Sequence, residues 1–219
     1  MQKIIFFTVI TLFVFSFVSC DDDTAGLVNE EGLTQEIVNL VPDSILTEIK
    51  SLGMPIYGGE NPPNIEYAYI VSPFVLKASN IESDEAGHTY NDYYVKFYNQ
   101  DNSKLTTSCD YKNYPESGTG LGGYVVGDDN KFSVFVEVNA ETEDGGKAKI
   151  VMILSGEWTS EGVNNMYVAN FMLDNYGNET GYWINNGEGR VIYDSDGFSP
   201  ITDSFKQFEM PINLGLSGK

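Results

Sequence analysis

From Ile65 onward apolar residues recur at every second position, the period of strands that turn one face to a core. Lys131 to Asn139 carries the pattern most clearly. Phe132, Val134, Val136 and Val138 point one way, Lys131, Ser133, Glu137 and Asn139 the other, and Phe135 alone breaks the rule. Leu105, Thr107, Cys109 and Tyr111 alternate with Lys104, Thr106, Ser108, Asp110 and Lys112. Ala148, Ile150, Met152 and Leu154 form a face opposite Lys147 and Lys149, and Tyr167, Ala169, Phe171 and Leu173 one opposite Asn170 and Asp174. Less regular strands are expected at 65–76, 93–98, 124–127 and 190–193.

Turn-forming runs such as NQDNS, GDDNK, EDGGK and DNYGNETG separate these segments. Short connections make consecutive strands antiparallel neighbours. The expected class is all-β: about eight strands in an antiparallel up-and-down barrel, or alternatively two sheets stacked as a sandwich. Closure suits a meander because it leaves no exposed edge. A membrane-spanning barrel is excluded, since the outward positions carry lysines and acids where lipid demands an apolar band.

Ahead of the strands, LTQEIVNLVPDSILTEIKSLG has apolar residues at helical spacing: Leu33, Ile37, Leu40 and Val41, then Ile45, Leu46 and Ile49. Pro42 splits the run into a weak first turn or two and a better helix from Pro42 or Asp43 to Leu52, stopped by Gly53. This short one-sided helix is expected to dock near one end of the barrel. MPIYGGENPPN is a connector, because its Gly-Gly and Pro-Pro pairs forbid regular structure.

The N-terminus supplies an address. Lys3 is the sole charge before Asp21, and residues 4–18 are apolar apart from Thr8, Thr11 and Ser16. About fifteen residues fall short of the ~20 that a spanning helix needs, so the stretch reads as an export signal. Phe17-Val18-Ser19-Cys20 resembles the lipobox of bacterial lipoproteins. That resemblance implies cleavage after residue 19, acylation of Cys20 and membrane attachment through acyl chains. The acids that follow, Asp21, Asp22 and Asp23, resemble the surface-export signal of lipoproteins in some Gram-negative anaerobes, and also the inner-membrane retention signal of enteric bacteria. The expected location is the outer membrane, lipid-anchored and facing outward. The division is then 1–19 signal peptide, 20–32 lipidated acidic tether, 33–64 helix and connector, and 65–219 barrel domain with a C-terminal tail.

Loss of the leader takes 12 basic and 32 acidic residues to 11 and 32, a net charge of −21. Such a surface repels phosphate backbones, which excludes nucleic acid as a partner. With Cys20 acylated, Cys109 has no partner for a disulfide, so packing alone must hold the fold.

No cofactor is expected, and no residues single out a catalytic centre. GTGLGG, residues 118–123, fits a G-x-G-x-x-G spacing, but a helix must follow in the dinucleotide version, so it reads as a hairpin loop. His88 sits in a polar loop, and Cys109 in an alternating strand that would bury it. Asp194-Ser195-Asp196-Gly197 begins like a calcium loop, yet FSPITDSF supplies no closing Glu. Asp194 and Asp196 are therefore a weak calcium candidate behind a plain turn.

Aromatic residues give the remaining option. Tyr90, Tyr93, Tyr94, Phe97 and Tyr98 place rings on both faces of one strand, and Trp158 and Trp183 fall in expected loops. Exposed Trp and Tyr beside Asn and Asp are what saccharide-binding surfaces use. Candidate ligand contacts are accordingly Trp158, Trp183, Tyr94 and Tyr98.

Residues 65–200 resemble the lipocalin-like (calycin-like) barrel common among small lipoproteins of Gram-negative anaerobes. In NPPNIEYAY, Tyr67 and Tyr69 stand where that family places the Gly and Trp of its first strand. The resemblance implies a non-enzymatic module that binds a small hydrophobic or saccharide ligand at the barrel mouth. A structural subunit docking on an outer-membrane protein complex is the alternative.

Overall fold

The computed structural model describes residues 27–205. The leader, Cys20, Asp21, Asp22, Asp23 and the tail beyond residue 205 lie outside the described residues.

Two short helices, α1 (Gln35–Leu40) and α2 (Asp43–Ser51), precede eleven strands. The strands are β1 (Ala68–Val71), β2 (Phe74–Ser79), β3 (Thr89–Tyr90), β4 (Tyr93–Asp101), β5 (Thr106–Asn113) and β6 (Glu116–Asp128). They continue with β7 (Lys131–Thr142), β8 (Lys147–Trp158), β9 (Gly162–Asp174), β10 (Gly189–Asp194) and β11 (Phe198–Pro200). All belong to one antiparallel sheet ordered β1-β4-β5-β6-β7-β8-β9-β10-β2-β3, with β11 also on β9. Only Ser72 and Pro73 separate β1 from β2, and only Asn91 and Asp92 separate β3 from β4. Strands at opposite ends of that order are thus next to each other in the chain, and the sheet curls into a barrel-like wall. β2 pairs with β10, while Tyr69 of β1 bridges Ile201 just past β11.

Asp194 fastens this seam. Its Oδ2 accepts the Ser199 hydroxyl at 2.6 Å and the Ser72 N–H at 3.3 Å. The Ser195 N–H donates to the Pro73 carbonyl at 3.1 Å beside it.

Inward-facing side chains form one packed core: Tyr69, Tyr93, Phe97, Phe132, Val134, Val136, Met152, Leu154 and Val168 among others. The faces that could have lined a wide cavity, Phe132/Val134/Val136 of β7 and Ala148/Ile150/Met152 of the adjacent β8, lie side by side within this packed core. At one end the core is shut by Ile65, Tyr69, Phe97 and Phe132, whose rings sit 6.1 and 6.3 Å apart in successive pairs.

A second core lies outside the barrel. Leu33, Ile37 and Val41 with Leu46 and Ile49 cover Phe135, Val151, Ile153, Ala169, Phe171 and Val191. The helical segment therefore sits on the outer face of β7–β10 rather than at a barrel end. This explains Phe135, the residue that broke the alternation: both faces of its strand are buried. It also reassigns two faces. Ala169 and Phe171 point outward under the helices, while Met166, Val168 and Met172 fill the barrel and Asn170 shares their side of β9. Leu105, with φ +54°, leaves the Cys109/Tyr111 face and joins the outer core.

Thr34 caps α1 by accepting the Ile37 N–H at 3.2 Å, and Gly53 ends the α2 region at φ +83°, a conformation that suits glycine. Residues 28–32, placed in the tether from sequence, are tied into the fold: Val28 bridges Thr34, and the Gly59 N–H donates to the Gly32 carbonyl. GTGLGG is also strand rather than hairpin loop. It lies inside β6, with a bulge between Thr119 and Tyr124. A Cβ at Gly118 would run into the Tyr111 ring and Val138, so the glycine makes room for the core. Trp158 ends β8 rather than lying in a loop.

Phe135 is fully buried beneath the helices. Phe135→Ala is expected to cost about 3 kcal/mol in urea unfolding, in the range for a large-to-small core change. A cost under about 1 kcal/mol, as for a surface position, would contradict a docked helical layer.

Candidate functional site

The end of the barrel opposite Phe132 is open. Here β5 ends, β6 begins, and the 175–188 segment folds over the rim. A pocket of about 230 Å³ opens at this mouth. Phe74, Ile150, Met172 and Ile192 give it an apolar base, Tyr90, Tyr182 and Trp183 its aromatic walls, and Asn113, Glu116, Asn170 and Arg190 its polar groups.

The floor is a row of rings. Phe74 stacks on Tyr93 at 4.7 Å and Tyr93 on Tyr111 at 5.3 Å, while Tyr90 adjoins Phe74 at 6.2 Å. The Tyr93 hydroxyl reaches across to Met152 Sδ at 2.9 Å. Below this row the interior is filled.

The 175–188 segment is held by asparagines acting as backbone mimics. Asn178 donates to the Trp183 carbonyl at 2.6 Å and accepts its N–H at 2.8 Å, and Asn175 donates to the Ile184 carbonyl at 3.0 Å. Trp183 is thereby fixed and only 7% exposed. Its indole Nε1 is buried with no hydrogen-bond partner, an arrangement that costs free energy unless something supplies an acceptor.

Arg190 is the chain's only arginine. Its Nε and Nη2 donate to the two Asp84 oxygens at 2.7 and 3.0 Å, a planar two-pronged contact. That contact holds the Asp84 carboxyl below its ordinary value. Asp84 comes from the loop after β2, so the ion pair ties this loop to the mouth.

Glu116 opens β6 on the sill of the pocket. Burial pushes its carboxyl up to about 7, against the hydroxyls of Tyr182 and Tyr111 and the charge of Arg190, which pull it down. Outside the sill, a more open groove of about 650 Å³ shares Glu116 and includes Tyr94 and Lys112. Lys112 donates to the Phe205 carbonyl at 3.1 Å and lies 4.7 Å from the centre of its ring.

Of the four aromatic residues singled out from sequence, Trp183 lines the mouth pocket. Tyr94 lines the outer groove, and Tyr98 bonds Asp110 at 3.1 Å on the outer face of β4. Trp158 packs on the core at the far end of β8. The four are not brought together. Asp194 is buried, and burial raises its carboxyl to about 6. It serves the seam, while Asp196 is exposed and accepts the Phe198 N–H at 3.0 Å. Among the described residues no three His, Cys, Asp or Glu side chains cluster as a metal site would require. Cys109 is buried in the core, where desolvation pushes its thiol well above the ordinary value, whereas His88 is on an exposed loop.

Sequence reasoning missed Glu116, Asn170 and Arg190. Two signals were there: a lone arginine opening a strand, and four asparagines from Asn175 to Asn186, besides Asn170 itself.

Comparison with known proteins returns no matching family, no matching curated protein and no matching solved structure.

Glu116 has an ordinary value of 4.5 and about 7 when folded. Between those values the folded chain keeps a proton that the unfolded chain has released. Its stabilising effect is therefore full below pH 4.5 and is lost as pH rises through 7. Glu116→Gln should remove this component, gaining melting temperature relative to wild type as pH rises from 4.5 to 8. Parallel melting curves across that range would contradict a desolvated Glu116.

Proposed function

We propose that this chain is a non-enzymatic lipoprotein, anchored through Cys20 at the outer membrane and exposed at the cell surface, that binds a small ligand at the mouth of a lipocalin-like barrel. The strand pairings support an eight-armed up-and-down reading. β1 with β2 and β3 with β4 each act as one bent arm, and so do β10 and β11, which both lie on β9. Each arm then neighbours the next in sequence, and the last returns to the first through the β2–β10 ladder and the Tyr69–Ile201 bridge.

The observation that carries the binding reading is Trp183. Trp183 is nine-tenths buried, its indole N–H has no acceptor among the described residues, and its side chain stands on the wall of a pocket that also presents Glu116, Asn113 and Asn170. The ligand is small. At about 230 Å³ the pocket falls below the ~300–1,000 Å³ of drug-sized sites, and the packed interior beneath it leaves no channel for an acyl chain. Exposed Tyr182, carried by the 175–188 segment, gives the rim a flat face that suits a sugar ring as well as a smaller aromatic molecule.

The chain has two tryptophans, so its indole N–H groups give two resolvable NMR signals. In a screen of small polar and aromatic fragments, binders are expected to shift the Trp183 signal and leave Trp158 in place. Shifts confined to Trp158, or none at all, would contradict binding at the mouth. For the anchor, labelled palmitate should mark the wild-type chain and not Cys20→Ala; equal labelling of both would remove it.

A further inference from the structure

We infer that the mouth pocket takes a small organic cation, an alkyl- or arylammonium, with its charge against Glu116 and its apolar body on Phe74, Tyr90 and Trp183. This rests on the mouth-binding reading and adds the chemical class of the ligand.

The charges at the pocket do not cancel. Two charged side chains line the pocket, Glu116 and Arg190, and Asp84 stands behind Arg190. The Arg190 fork is already laid on both oxygens of Asp84, at 2.7 and 3.0 Å. That pair is neutral, so Glu116 leaves the site one negative charge in excess. The other groups around Glu116 do not cancel it. On the inner side stand the neutral hydroxyls of Tyr111 and Tyr182. On the groove side, Lys112 is outnumbered by Asp92, Glu141 and Glu143.

The wall narrows the choice of cation. A carboxylate could be neutralised by an inorganic ion, but this one is flanked by Tyr182, Trp183, Tyr90 and Phe74. Aromatic faces attract cations, and a ring-lined box with one acid suits a cation that carries carbon. A bare divalent ion would need several oxygen ligands, and one carboxylate, Glu116, with the amides of Asn113 and Asn170 is all that the lining offers besides tyrosine hydroxyls. An anion would meet Glu116 and a chain of net charge −20. The unpartnered Trp183 N–H adds one requirement: a ligand that also carries an oxygen acceptor, as an amino alcohol or an amino sugar does, satisfies it.

The raised Glu116 carboxyl fits the same picture, since an empty site takes up a proton where the ligand would bring a positive charge. Cation affinity should then fall as Glu116 protonates. At pH 6, one unit below its value, about a tenth remains ionised.

The test compares three probes of one shape: benzylammonium, benzyl alcohol and benzoate, titrated into the full chain by calorimetry with the Trp183 indole signal followed in parallel. At pH 8.5 benzylammonium is expected to bind at least about tenfold tighter than benzyl alcohol, with benzoate weakest. It should weaken about tenfold between pH 8.5 and pH 6. Glu116→Gln should abolish the preference and the pH dependence. Because the probe series is run on the wild-type chain, the result does not depend on that variant folding. Benzyl alcohol or benzoate binding as tightly as benzylammonium, with Trp183 shifted, overturns the cation class and leaves mouth binding standing. A preference that survives Glu116→Gln also overturns it. Failure of all three probes to move Trp183 overturns the cation proposal and the mouth-binding reading together.

Discussion

A row of four rings, Tyr90, Phe74, Tyr93 and Tyr111, crosses the inside of the curled sheet, and the rest of the architecture is arranged around it. The four belong to β3, β2, β4 and β5, so each contact holds two arms of the wall at a set separation. Aromatic pairs of this kind contribute about 0.5–1.5 kcal/mol each beyond their buried area. The row also needs space, and Gly118 on the neighbouring β6 provides it by having no Cβ to strike Tyr111. Below the rings the interior is solid. Above them the mouth remains, with Glu116, Asn170 and Arg190 around it.

The long central strands are buried on both faces, which is why a chain without internal disulfides can hold this shape. Phe132, Val134 and Val136 of β7 pack inward, while Phe135 packs outward under α1 and α2. Each helix is too short to persist alone in water, and each is stable here because its apolar stripe covers the sheet. The exposed ion pairs, such as Lys131–Glu157 at 3.7 Å, add little. Charge matters at the seam and the mouth instead. There Asp194 joins Ser72 to Ser199, and Arg190 joins the β2–β3 loop to β10.

Much of this was legible in the sequence, and the misses share one cause. Period-two alternation located the strands because a barrel wall with a filled interior imposes it residue by residue. Alternation says that two faces differ, not which face is wet. In β9 the Tyr167–Leu173 face looked like the core side and Asn170 like the water side. The helical layer buries the first, and the barrel mouth takes up the second. GTGLGG looked like a loop because glycine weakens a strand, yet close packing of Tyr111 and Val138 demands it there. Trp183 could be named as an exposed-type aromatic in a polar loop, but its partners could not. Glu116, Asp84 and Arg190 lie 32 or more positions apart, and only the curl of the sheet brings them together.

The central claim is a barrel filled up to its ring of aromatics, with room for a ligand only above them. A crystal structure of the chain purified from its own cells tests this most directly, by showing where co-purified density lies. The account predicts compact density above Ile150 and Met172, between Glu116 and Trp183. Density running past Tyr93 and Met152 into the interior, as a lipid or fatty acid would give, would contradict it.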